Sequence, residues 1–243
     1  MQDNNNGVTV ALLAAHEADN LRVLLPLIIE QLKTLNVPYD IEVIDTEAPT
    51  DDTAAVCSDF NAEYFNQEFP GFGGAFKTAV KYASHENFLI LDSDGSHNPK
   101  YISDIYRKFK EDNCDVVIGS RYTKGGRTND KASSIIMSRI LNFIFRKAMG
   151  IKAHDISTNY RIYDTKQLKQ VELCCRNYDV EQEVLVKLKL NNKNLKIEEV
   201  PITFEKRLYG ESKRQLLKFI LGYIRTLFML LGLRLKHALK IKN

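Results

Sequence analysis

No pair of cysteines in this sequence has Cys-x-x-Cys or zinc-type spacing. The four present are Cys57, Cys114, Cys174 and Cys175, and two of them are adjacent. That pattern excludes a disulfide framework or a structural zinc site and points to reduced thiols in a cytosolic compartment. The opening MQDNNNG has no apolar core behind a basic start, so no secretory signal is expected. No internal repeat and no low-complexity linker breaks the chain. Long apolar runs are missing as well. The longest uncharged run in the apolar C-terminal segment is Thr226 to Leu233, far short of the ~20 residues that span a bilayer. Neither the Rossmann fingerprint nor the Gly-Lys-Ser/Thr of a phosphate loop occurs.

What is present is one large domain's worth of ordinary globular composition, 243 residues with 44% hydrophobic and 27% charged. The net charge of +3 is unevenly spread. Residues 206–243 hold ten Lys/Arg and one Glu, a balance of +9, leaving 24 basic and 30 acidic residues, or −6, before them. An acidic body with a basic tail suggests an anionic surface or ligand near the C-terminus.

Periodicity predicts alternating strands and helices. Strands are expected at 8–14, 41–44, 88–91 and 115–119, and helices at 21–35, 50–61, 74–84 and 99–111. This βαβα order argues a mostly parallel, doubly wound α/β sheet over about the first 120 residues. Beyond it a helix near 133–149, short strands near Tyr160 and Ile197, and a long apolar-basic helix from Ser212 are expected. Domain boundaries follow at 1–211 and 212–243.

The stretch FLILDSDGSHNP (88–99) carries the strongest chemical signal. A strand buried on both faces runs into Asp92 and Asp94, and open α/β sheets bind ligands at such carboxyl ends. Two crowded carboxylates repel unless a cation offsets them. The alternative is plain turn chemistry, Asp94-Gly95 and Asn98-Pro99. GFGGAFKTA (71–79) is either a nucleotide-phosphate loop or a tight turn that lets a helix pack closely. Asp45, ending the second strand, is either a base or ribose ligand or a solvated turn residue. His16 and His97 read as structural.

Several blocks in order resemble the family-two glycosyltransferases, in particular the dolichyl- or polyprenyl-phosphate mannose synthases. LDSDGSHNP is similar to their metal-binding Asp-x-Asp block, VVIGSRYTKGG (116–126) to their Gly-Ser-Arg-Tyr stretch, and DISTNYRIYD (155–164) to their Thr-Ser-Gly-Phe-Arg segment. EVPITFEKRLYGESK (199–213) is similar to the Glu-Val-Pro-Ile…Arg-x-x-Gly-x-Ser-Lys signature. The resemblance runs from about Val8 to Lys213. It implies a GT-A fold, and a C-terminal amphipathic helix follows the matched region. Its departures are LAAHE (13–17), which keeps only Glu17 of the family's opening motif, Thr46 after Asp45, Pro70 where an Arg is usual, and Asn159 for a glycine. The changes at Ala15, Thr46 and Pro70 fall where the family holds base and ribose.

The resemblance implies an inverting transfer of a hexose from a GDP- or UDP-linked nucleotide-diphosphate sugar to a polyprenyl phosphate. It implies Mg²⁺ or Mn²⁺ as cofactor on Asp92, Asp94 and Ser96. Glu17, Asp45, Gly71, Gly73, Asp92, Arg207 and Lys213 are the expected donor ligands. A lipid phosphate is already anionic and needs cations rather than a strong base, so Arg121 and Arg161, with Arg127 or Arg139 as further candidates, are expected at the acceptor. Asp155 and Glu183 are bases only if the acceptor is a saccharide hydroxyl, as in surface polysaccharide synthesis. Otherwise Glu183 holds an arginine, and Arg121 has an ion-pair alternative. The apolar-basic helix is expected to lie on the cytoplasmic face of a membrane, or else to pack on the domain or a second subunit, with helix 135–149 as a second candidate. A homodimer is admitted and no nucleic-acid partner is expected. A domain that merely binds a nucleotide or a partner is the alternative of another class.

Overall fold

The computed structural model describes residues 7–209 and 216–240. Its first strand, β1 (Val8–Leu13), pairs in parallel with both β2 (Tyr39–Asp45) and β4 (Asn87–Asp92). Strand β3 (Glu63–Asn66) extends the sheet beyond β2, also in parallel. The residues of β1 and β4 up to their last are all buried, as helices on both faces require.

Strand order is β3-β2-β1-β4-β7-β5-β8. The chain winds outward from β1 through β2 to β3, then returns to β1's other side with β4. That reversal opens a crevice beyond the carboxyl ends of β1 and β4, the place where ligands bind such sheets. Strand β7 (Arg161–Asp164) runs antiparallel between β4 and β5 (Val116–Ser120), and β8 (Ile197–Pro201) closes the sheet in parallel with β5.

Two hydrophobic clusters sandwich the sheet. One gathers α1 (Ala18–Lys33), α2 (Thr53–Asp59) and α4 (Ile102–Glu111) through Leu21, Leu25, Ile28, Val56, Ile105 and Phe109. The other gathers α3 (Phe72–Tyr82), α5 (Ala132–Met149), α7 (Val180–Asn191) and α8 (Leu216–Lys240) through Phe76, Phe145, Leu185, Tyr223 and Leu230. Helix α6 (Thr165–Lys169) is a short connection capped by the Asp164 side chain.

The expected strands and the helices to residue 149 are in place, with local shifts. The helix expected at 50–61 is cut to Thr53–Asp59 because Asp51 turns back. Its carboxylate accepts the Thr53 amide at 3.2 Å and the Ala18 amide at 3.0 Å, tying α2 to the start of α1. β3, α6 and α7 are additions. Helix α7 buries Glu181, Gln182 and Glu183 in its first turn, so its sequence lacks a clean apolar stripe. The start of α8 expected at Ser212 lies outside the described residues, as does Lys213. A two-residue pair, β6 (Arg127–Thr128) with β9 (Thr203–Phe204), lies apart from the main sheet.

Candidate active site

The carboxyl end of β4 turns sharply at Gly95, whose φ is +83°. Asp94 is held from two sides. Its Oδ1 accepts the Ser96 amide at 2.9 Å and the Ser96 hydroxyl at 2.5 Å, and its Oδ2 accepts Arg207 Nη2 at 2.8 Å. Burial opposes the charge, but these donors outweigh it and hold the carboxyl below the ordinary carboxylate range. Asp92 lies 3.5 Å from both His97 Nδ1 and Asn159 Nδ2. His97 is fully buried; its Nδ1 accepts the Asp92 amide at 3.0 Å and its Nε2 meets Thr158 Oγ1 at 3.1 Å. Burial keeps its pKa down. The ring therefore acts as a brace for the turn, as a structural histidine should.

A strap of residues 203–209 lies across this turn. The Leu208 amide donates to Asp94 O and the Glu205 amide to Ser96 O, both at 2.9 Å. A side chain at Gly95 would meet Leu208 Cγ at 2.5 Å, so only glycine admits the strap. Arg207 Nη1 comes within 3.8 Å of Glu17 Oε1, and the Tyr209 amide donates to Asn20 Oδ1 at 3.1 Å. Glu17, Asp94 and Arg207, distant in sequence, thus share one site.

The donor set suits a hard divalent cation. Two carboxylates, Asp92 and Asp94, stand two residues apart at the end of β4, and a guanidinium already stands as counter-charge to Asp94. Among the described residues no cluster of three or more acidic, His or Cys side chains is assembled for a metal. A bound diphosphate and water would complete the coordination of Mg²⁺ or Mn²⁺. Ser96, expected as a ligand, donates its hydroxyl to Asp94 and orients that carboxylate.

Three more expected donor residues stand at the same edge of the sheet. Asp45 ends β2, buried, accepting the Thr46 amide at 2.7 Å and Tyr64 OH at 3.2 Å; burial pushes its carboxyl up. Gly71 and Gly73 open α3. A Cβ on Gly73 would sit 2.2 Å from Cys175 O, and one on Gly71 2.4 Å from Arg176 O at a φ of +83°. Glycine is thus required at both positions by the close approach of the 175–176 backbone.

The expected acceptor residues are corrected in part. Arg161 is fully buried, its guanidinium donating to Tyr163 OH at 3.1 Å, Glu181 O at 2.7 Å and Ile156 O at 2.9 Å. It clamps α7 to the 156 loop and is sealed from solvent. Asp155 is fully buried against Arg121, whose Nε and Nη2 donate to its two oxygens at 2.7 and 2.9 Å. Burial opposes that charge, but the Arg121 pairing lowers its pKa, so Asp155 is held ionised with both oxygens committed to Arg121. Arg121 takes its ion-pair alternative and spends further donors on Ser157 and Ser138. Glu183 is also fully buried and bonded, by the Cys174 and Cys175 amides and by Lys187 at 2.8 Å each. It holds a loop, neither a substrate proton nor an arginine. Arg127 and Arg139 are exposed, with Arg139 stacked 5.3 Å over the Tyr122 ring.

Sequence reasoning missed the polar shell behind Asp155. Asn142 Nδ2 and the Ser157 amide reach Asp155 Oδ1 at 3.4 and 3.3 Å, and Ser138 meets Ser157 Oγ at 2.9 Å. Ser138 and Asn142 lie four residues apart on α5, and that polar stripe in an apolar helix was the available signal.

The family model described as glycosyl transferase family 2 matches residues 9–171. The dolichol-phosphate mannosyltransferase of Pyrococcus furiosus is 29% identical over 237 residues, covering 92% of this chain, which spans 63% of that protein. The polyprenol monophosphomannose synthase of Mycolicibacterium smegmatis is 28% identical over 211 residues, covering 80% of this chain and 77% of that one. Among solved structures, glucosyl-3-phosphoglycerate synthase from Mycobacterium tuberculosis, in complex with Mg²⁺ and uridine diphosphate, aligns with a TM-score of 0.71 at 17% identity. The alignment covers 93% of this chain and 80% of that one. With its GT-A sheet, its Asp-x-Asp turn and a family match over most of its length, this chain belongs to glycosyl transferase family 2.

Proposed function

We propose that this glycosyltransferase moves a hexose from a nucleotide-diphosphate sugar to a polyprenyl phosphate, with inversion, at the cytoplasmic face of a membrane. The observation that carries the reading is the meeting of Asp94 with Arg207 at the end of β4, 2.8 Å apart. Asp92 and Asp94 would hold Mg²⁺ or Mn²⁺, which when bound supplies positive charge to the leaving diphosphate. Arg207, released from Asp94, is positioned to add its own charge over the phosphates. Lys213 belongs to the same proposal. Glu17, Asp45, Gly71 and Gly73 line the donor side.

An oxygen of the acceptor phosphate attacks the anomeric carbon, and the bond to the diphosphate oxygen breaks, leaving a nucleoside diphosphate. This acceptor needs no proton removed. That suits a site in which Asp155 and Glu183, the two carboxylates offered as bases, are both buried and bonded. The exposed Arg127 and Arg139 take over the expected role of Arg161 in holding the acceptor phosphate.

Support for a lipid acceptor comes from α5 and α8, which pack on each other through Phe145 and Tyr223. They expose Ile136, Ile140 and Phe143 on one and Phe228, Leu235 and Leu239 on the other. Arg139, Lys147, Arg225, Arg234 and Lys236 stand exposed on the same two helices. Among the described residues no helix is long and apolar enough to cross a membrane, and an interfacial pair fits this mixture.

The test offers labelled GDP- and UDP-linked hexoses to the protein with polyprenyl phosphate or with saccharides, with and without Mn²⁺. A labelled product that partitions into organic solvent, and whose formation stops on chelation, is expected. Label appearing only in saccharide would replace the lipid reading.

A further inference from the structure

Glu183 lies far from the Asp-x-Asp turn in sequence and accepts no substrate proton, yet every atom of its carboxylate is engaged. Oε1 accepts the Cys174 amide and Oε2 the Cys175 amide, at 2.8 Å each. Lys187, one turn further along α7, pairs with Oε1 at 2.8 Å and donates from its Nζ to Glu172 O at 2.5 Å. The Glu183–Lys187 pair therefore grips the 172–175 loop through three backbone groups, none of which lies in a helix or strand.

The other side of that loop faces the glycine turn. Arg176 O accepts the Gly73 amide at 2.9 Å. The Cys175 and Arg176 carbonyls occupy the space that Cβ atoms would take on Gly73 and Gly71. Phe72, between those glycines, packs at a tilt against Tyr178 with centroids 4.3 Å apart. One amide bond, two close carbonyl approaches and one ring pair thus set the height and tilt of the turn that opens α3.

We propose that Glu183 is a positioning residue for the nucleotide-sugar donor, acting through the 174–176 backbone to hold the glycine turn against the donor. The proposal rests on the reading of Gly71 and Gly73 as donor-side residues. A buried carboxylate suits the task because it accepts two amides at once in a fixed fork. A neutral amide side chain offers one oxygen and sets an N–H against the second backbone N–H. Losing one acceptor frees one amide and lets the loop, and the turn it seats, shift by a fraction of an ångström. Misplacement on that scale at a binding turn costs roughly tenfold to a hundredfold.

The experiment measures both substrates in Glu183→Gln. Expected are a rise of about tenfold or more in the KM for nucleotide sugar and in the Kd for the nucleoside diphosphate, and faster exchange of the Gly73 amide. The KM for polyprenyl phosphate should stay within about twofold, and the pH profile of kcat should keep its shape. Glu183→Asp, which keeps the charge and is the milder change, should show the same selectivity at smaller size, and it serves if the Gln variant does not fold. Equal weakening of donor and acceptor, or unchanged donor binding, overturns the positioning role. So does loss of one limb of the pH profile, which would make Glu183 a base. A wild-type protein that binds no nucleoside diphosphate overturns the donor reading and this inference with it. Wild-type binding that both variants retain overturns this inference alone.

Discussion

Single residues in this site owe their roles to what else touches them. Asp94 and Asp155 are both acidic and both paired with an arginine, but Asp155 is sealed in while Asp94 keeps a partly open edge. The first serves the architecture and the second is free to exchange partners. Asp94→Asn should therefore lower transfer by about a hundredfold or more, since it removes one charge acting at the leaving diphosphate. Thermal stability should fall modestly, because the amide can still accept from Ser96 but loses the ion pair with Arg207. Transfer within a few-fold of wild type at saturating Mn²⁺ would remove Asp94 from the chemistry.

At the scale of elements, β2 carries a cost. Glu42 lies mid-strand, 1% exposed and opposite Glu63 of β3, and its Oε1 has no hydrogen-bond partner. Burial, then the charges of Asp40 and Glu63, push its carboxyl up to about 9 from an ordinary 4.5. Between those values the folded chain holds a proton that the unfolded chain has lost, so stability falls as pH rises through that window. The contribution is fully present below the ordinary value and gone above the raised one. Glu42→Gln, neutral throughout, should flatten the decline in melting temperature between about pH 5 and pH 9. Parallel curves for the two proteins would show that Glu42 is ionised in the fold.

For the whole molecule, the question is which surface meets the acceptor. One side of α8 buries Tyr223, Thr226 and Leu230 against the body, and the opposite side exposes Phe228, Leu235 and Leu239. Burying such a side chain contributes roughly 1.5–3 kcal/mol, and each nearby Lys or Arg about 1 kcal/mol on an anionic surface. Replacing Phe228 and Leu235 with Glu should release the protein from phosphatidylserine vesicles by an order of magnitude or more, leaving nucleoside diphosphate binding intact. Undiminished co-sedimentation would place the membrane contact elsewhere.

The sheet was legible because β1 and β4 carry the apolar runs Val10–Leu13 and Phe88–Leu91, a pattern that survives without knowledge of neighbours. The Asp-x-Asp turn was legible because strand-end carboxylates follow from that pattern. Helix α7 was not, since its first turn buries Glu181, Gln182 and Glu183, whose partners come from the 174–175 loop, Ile156 and Tyr223. By itself the sequence determined the doubly wound order and which residue types gather at its carboxyl edge, both consequences of local periodicity. Only the tertiary structure decided which charges stay available. Arg161, Asp155 and Glu183 are matched by partners contributed from other elements, while the Asp94–Arg207 pair lies at the edge of the crevice. Pairing between distant segments, which no local pattern encodes, separates a charge that acts from one that braces.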